Sequence, residues 1–110
     1  MQVMINIDVS DLKRAIRFYE EAMGLKLRRQ LFEHTGAEME GASCSIYLLE
    51  KAAGSRPSAY TDQTRNYARH WTPVHLDFVV SNLEAAIAKA VTVGATLEGA
   101  LQTFTWGRQA

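Results

Sequence analysis

The 110-residue chain contains one cysteine, Cys44, and only two prolines. A lone cysteine cannot close an intrachain disulfide or build a cysteine-rich zinc site, so the fold must be held by its apolar core, which fits a reducing compartment. Cys44 is expected as a small core residue. An excess of either charge is also missing, since 12 Lys and Arg balance 12 Asp and Glu. No basic footprint for nucleic acid or for an anionic membrane surface follows from that balance. No apolar run approaches the roughly 18 residues of a membrane span, and the first residues lack the basic-then-apolar order of a signal peptide. The expectation is a soluble cytoplasmic protein with neither nucleic-acid nor membrane partners. Glycine-rich phosphate loops, a nucleophile elbow, Cys-x-x-Cys pairs and dinucleotide fingerprints are all missing, which leaves nucleotide-dependent chemistry without support.

What the chain does contain is repetition. Val3-Met4-Ile5-Asn6-Ile7-Asp8-Val9-Ser10-Asp11-Leu12 is echoed by Val74-His75-Leu76-Asp77-Phe78-Val79-Val80-Ser81-Asn82-Leu83, and each copy is followed by Ala-Ile, at Ala15-Ile16 and Ala86-Ile87. Superposing the copies pairs Ile5 with Leu76, Ile7 with Phe78, Val9 with Val80 and Met4 with His75.

In the first copy the alternation of Ile5, Ile7 and Val9 with Met4, Asn6 and Asp8 predicts a strand with two unlike faces. Ser10-Asp11 supplies an N-cap, and Leu12, Ala15, Ile16, Tyr19, Ala22 and Met23 follow at helical spacing up to Gly24, a natural C-cap. That stripe is expected on the Ile5, Ile7 and Val9 face. Strands are predicted over Leu25 to Phe32, with Lys26 and Arg28 outward, over Ala37 to Glu40, and over Ser43 to Leu49. Residues 51–72 mix Gly54, Pro57 and polar residues without periodicity and read as a linker, whose Tyr60, Tyr67 and Trp71 could anchor it or fold back as a lid. The β-α-β order then restarts, with a strand over Val74 to Val80 and a helix capped by Asn82, carrying Leu83, Ala86, Ile87, Ala90 and Val91 on its stripe and ending at Gly94. Short strands are expected over Thr96 to Ala100 and from Thr103 to Arg108. The prediction is an α+β fold of two tandem β-α-β-β-β modules, residues 1–50 and 73–110, joined by the 51–72 linker, with the second module incomplete.

A β-α-β-β-β sheet covered on one face by its helix leaves the other face bare, and two such faces can enclose a groove. Met4, Asn6, Asp8, Ser45, Tyr47, Leu49, His75, Asp77 and Trp106 are the candidate groove residues. The duplicated Val-Ser-(Asp/Asn)-Leu turn, Phe18-Tyr19 with Met23-Gly24-Leu25, and Trp106-Gly107 together resemble the vicinal oxygen chelate superfamily, which includes glyoxalase I, bleomycin-resistance proteins, fosfomycin-resistance enzymes and extradiol dioxygenases.

The resemblance implies a divalent metal held by O and N ligands on the concave face, at positions that fall on Met4, Tyr47 and His75. Only His75 is a plausible ligand. A thioether is soft, and Tyr47 would have to lose a phenolic proton that tyrosine ordinarily keeps well above neutral pH. A set outside the family pattern, His75, Asp77 and Asp8, is conceivable, although Asp and His two apart on a strand often just hydrogen-bond. His34, in a turn, and His70, in the linker, read as solvated. No catalytic residue stands out, and whether the protein is an enzyme is left open.

The favoured reading is metal-independent binding of a small organic molecule, as in bleomycin-resistance proteins, with no cofactor. The alternative is a divalent-metal-dependent lyase or isomerase, thiol transferase or dioxygenase. Because the second module would expose a sheet edge, a homodimer is expected, and light scattering that shows a well-behaved monomer contradicts it.

Overall fold

A computed structural model describes all 110 residues. The first fifty fold as their pattern dictates. The period-2 stretch becomes β1, Ile5–Val9, and the period-3.6 stretch becomes α1, Leu12–Met23. The α1 N-cap is Asp11, whose side chain accepts the Arg14 N–H, and Gly24 closes the helix at φ 67, a left-handed conformation that glycine adopts without penalty. β2, Lys26–Leu31, β3, Gly36–Glu40, and β4, Ile46–Glu50, complete a four-stranded sheet in the order β1-β4-β3-β2, with β1 parallel to β4 and the other pairs antiparallel.

The helix covers one face of this sheet. Leu12 and Ile16 of α1 pack with Leu25, Ala37, Met39, Ile46 and Leu48, and Ile5, Ile7 and Val9 flank that cluster, as the stripe predicted. Every buried residue of the protein lies between Leu12 and Leu48. Cys44, expected in the core, is instead half-buried, because it precedes the first hydrogen-bonded residue of β4 in the corner that follows Gly41.

Residues 51–72, read as a linker, are tied to the first module and to themselves. Lys51 N–H donates to the Val9 carbonyl at 3.0 Å, and Arg65 exchanges backbone hydrogen bonds with Ser55 and Gly54, both at 2.8 Å. The Arg65 side chain meets Asp8 at 2.6 Å, and the Tyr67 hydroxyl donates to the Lys51 carbonyl at 2.8 Å. Of the three aromatics considered as a lid, Tyr67 therefore anchors the loop to itself, and Tyr60 and Trp71 are exposed.

The second half departs from its prediction. Helix α2, Leu83–Thr92, forms with Asn82 as its cap and packs on α1, but it buries no residue fully, and Val91 on its expected stripe is 47% exposed. The Val74 to Val80 stretch forms no strand, and none of its residues takes part in a backbone–backbone hydrogen bond. Alternation supplies two faces but not a partner. In the first module β1 obtains its ladder from β4, and no segment among these residues takes the corresponding place beside Val74 to Val80. Phe78, which packs against the first module's core, is what ties the stretch down. Thr96 to Ala100 is likewise not a strand, and the expected strand from Thr103 splits into a hairpin of β5, Gln102–Phe104, and β6, Gly107–Gln109. The outcome is a loose overall shape: the radius of gyration is 15.4 Å, against about 13 Å for a compact domain of this length.

Candidate functional site

The face of the sheet that α1 leaves uncovered is built by cross-strand register. Residues directly opposite each other on paired strands share a face, so the ladder places side chains in rows. One row runs Asn6, Tyr47, Glu38, Arg29. The next runs Asp8, Leu49, Gly36, Leu31. Ser45 precedes Tyr47 by two and lies on the same face, where its hydroxyl donates to Glu38 at 3.2 Å. Five of the residues proposed from sequence, Asn6, Asp8, Ser45, Tyr47 and Leu49, are thus brought onto one surface.

The centre of that surface is Glu38, which periodicity alone did not single out. Its residue exposure is 2%, it is the one charged residue buried in the protein, and both carboxylate oxygens accept hydrogen bonds. Arg29 Nε donates to one carboxylate oxygen at 2.6 Å, and Arg28 Nη1 and the Ser45 hydroxyl donate to the other at 3.3 and 3.2 Å. Two consecutive arginines reach one carboxylate because the β2–β3 register slips between Leu27 and Arg29, where a bulge turns Arg28 to the side on which Arg29 already lies. Burial by itself would raise the Glu38 carboxyl, but hydrogen bonds from Arg29 and Ser45 and the Arg29 charge outweigh it and hold it below the ordinary value. The same pairing raises Arg29 further. Both arginines keep most of their surface in solvent, with side chains 58% and 59% exposed.

The second row is apolar in the middle. Gly36 has no side chain, and the ring of Phe32 occupies the space above it, so close that a Cβ on Gly36 would stand 2.8 Å from the ring. Phe32, Glu33 and His34 reach this position through three consecutive left-handed residues, φ 52, 53 and 68, each costing about 1 kcal/mol or more for a side chain with a Cβ. The Thr35 N–H and hydroxyl both donate to the Phe32 carbonyl, at 3.1 and 2.7 Å, and hold the turn.

The remaining candidates lie elsewhere. Met4 is 63% exposed ahead of β1, His75 and Asp77 are exposed on the unpaired stretch, and Trp106 stacks on Phe104 of the hairpin at 4.9 Å. None of the four makes a side-chain hydrogen bond to the sheet face. A concavity of about 670 Å³ lies on the other side of the sheet, at the α1 N-terminus between Lys13, Ile16, Gln30 and His34. Its helix end is already capped internally, since Glu50 accepts the Leu12 N–H at 2.7 Å.

A sequence profile described as a glyoxalase-like domain matches residues 4–109. The chain belongs to the glyoxalase-like family. It is thereby a member of the vicinal oxygen chelate superfamily, and the solved structures it resembles agree on the fold. An integron cassette protein from the mobile metagenome of V. cholerae superposes with a TM-score of 0.61 at 20% identity, over 98% of this chain and 80% of that one. The protein SMU.1112c gives 0.63 at 14% identity, over 96% and 83%. A virulence protein of Salmonella typhimurium, STM3117, gives 0.54 at 20% identity, over 98% and 80%. No curated protein matches the chain. At these identities the likeness carries the fold and not the chemistry.

The metal that the superfamily implies was tested against the side chains this glyoxalase-like chain offers. No three His, Cys, Asp or Glu residues converge anywhere. Met4 supplies a soft sulfur, Tyr47 stands between Asn6 and Glu38 in the row, and Asp8, one member of the alternative set, is taken up by Arg65. Glu38 already accepts from two guanidinium groups and the Ser45 hydroxyl, and those two cations repel a third. The donor set does not fit a chelated divalent ion, and no step is derived through one.

Proposed function

We propose that this glyoxalase-like protein binds a small organic molecule, without a metal, on the sheet face that α1 leaves open. The observation that supports this most is the ordered Asn6, Tyr47, Glu38 and Arg29 row beside an apolar row that contains the Phe32 ring. A buried carboxylate with hydrogen bonds to both oxygens is costly to assemble on a surface with no other task. The metal-dependent lyase, transferase or dioxygenase alternative has no donor set to act through. The unpaired Val74 to Val80 stretch also suits association of two copies, for which light scattering is the measurement.

The test is thermal shift against a small-molecule library using metal-depleted protein. A ligand present at a hundred times its dissociation constant stabilises the native state by about 2.7 kcal/mol. Hits should perturb the amide resonances of Asn6, Tyr47 and Leu49 and should weaken in Tyr47→Ala. A library that stabilises the protein only through residues of the α1 groove, or only after a divalent ion is added, overturns the proposal.

A further inference from the structure

The open face carries more than a shape. Its ionisable side chains are Lys26, Arg28, Arg29 and Arg65 against Asp8, Glu38 and Glu40, so four cations face three anions. Around Glu38 and Glu40 stand Lys26, Arg28 and Arg29, so one cation is in excess there, and neither guanidinium group is used up by its carboxylates. Arg29 spends only Nε on Glu38, and Arg28 spends Nη1, its Nε lying 4.0 Å from Glu40. A guanidinium has five N–H donors in a rigid fork, so several on each arginine point to solvent. Glu38 therefore orients two half-exposed cations without neutralising them both.

One step along the strands, about 6.6 Å away at the strand repeat, the character of the face changes. Leu31 follows Arg29 by two residues, Gly36 precedes Glu38 by two, and Leu49 follows Tyr47 by two. Together with the Phe32 ring over Gly36 they make an apolar strip parallel to the charged one. The left-handed turn that carries Phe32 keeps the ring over the sheet despite its backbone cost.

Resting on the small-molecule reading above, we propose that the ligand is an organic monocarboxylate, its carboxylate held by Arg28 and Arg29 and its apolar body lying along Leu31, Phe32 and Leu49. Bidentate guanidinium pairing accounts for the choice of an anion, since planar carboxylates match the fork. The strip one strand-repeat away accounts for an apolar body separated from the acid by a short spacer. Glu38 is a positioning residue in this scheme.

The experiment compares a panel of aryl and alkyl monocarboxylates, phenylacetate among them, with the corresponding primary amides. Binding is followed by amide and arginine Nε resonances at two ionic strengths. The expected result is that acids bind at least about tenfold more tightly than their amides, with shifts at Arg28, Arg29 and Tyr47, and that added salt weakens the acids alone. Arg28→Gln should remove most of the preference, and Arg28→Lys, which keeps the charge but not the fork, should recover part of it. Acetate and inorganic phosphate separate an acid with a body from a bare anion: equal binding of either overturns the role of the apolar strip. Equal binding of acids and amides at Tyr47 and Leu49 overturns the carboxylate assignment while leaving the face as the site. Shifts confined to the α1 groove overturn both.

Discussion

Val9-Ser10-Asp11-Leu12 and Val80-Ser81-Asn82-Leu83 are near copies, yet the strand that leads into the first is hydrogen-bonded along its length and the stretch that leads into the second has no ladder at all. Ile7 and Phe78 occupy matching positions; one sits within a paired strand, and the other is a single anchor pressed on the first module's core. The difference teaches that the repeated pattern specifies a face and a helix start, while the strand itself is completed by a partner far away in sequence. β1 finds that partner in β4, each residue pairing with one 41 positions on. The helices show the same contrast, because α1 lies over three strands and α2 packs chiefly on α1.

The largest expected effect comes from exchanging one side chain in each region. Leu48 is fully buried at the centre of the core, and Leu48→Ala should cost about 2–5 kcal/mol, a large share of the roughly 5–15 kcal/mol of a domain this size. Val79 is fully exposed, and Val79→Ala should stay within about 0.5 kcal/mol. Urea midpoints measure both. A cost above about 1 kcal/mol at Val79 means that the stretch is packed in solution and breaks the contrast.

What was legible in the sequence follows the same division. Asp11, Gly24 and Asn82 announced the helix ends because capping is local, and Ile5, Ile7 and Val9 announced their face because alternation needs no knowledge of neighbours. Asn6, Asp8, Ser45, Tyr47 and Leu49 could be assigned to the bare face for the same reason. Glu38 could not, since its role depends on which residues β2 and β4 place beside it. Strict alternation sets Arg28 outward and Arg29 on the opposite face, and the bulge that gathers both onto Glu38 is a property of register. A place in the groove for His75 and Asp77 requires a strand there, and that stretch has no partner.

A smaller effect should separate the two depressed glutamates. Glu38 lies below its ordinary value of 4.5 in the folded state, so its contribution to stability is complete above that value and is lost as pH falls through the lower folded value. Glu84 is also lowered, chiefly by its hydrogen bond from Arg108, but its side chain is 59% exposed and the pair is open to screening. Urea midpoints followed from about pH 6 to about pH 3 should show a flatter acid limb in Glu38→Gln and an unchanged one in Arg108→Ala. The reverse outcome would move the acid-sensitive contact into the second half.

The finest test uses the two caps, which have the same geometry in the two regions. Asp11 accepts the Arg14 N–H and Asn82 accepts the Ala85 N–H, both at 3.0 Å, so removing either side chain deletes the same local interaction, worth about 1 kcal/mol. Asp11→Ala should appear in full in the global urea midpoint, because α1 cannot unfold without exposing Leu12 and Ile16. α2 has ten residues, fewer than the roughly 12–15 an isolated helix needs, and it rests on α1 through half-buried positions only. Asn82→Ala should therefore leave the global midpoint within about 0.5 kcal/mol while speeding amide exchange across Leu83 to Thr92, the signature of a segment that opens below the global transition. If Asn82→Ala instead lowers the midpoint as much as Asp11→Ala, α2 and α1 unfold as one unit, and the second half belongs to the cooperative core despite its missing ladder.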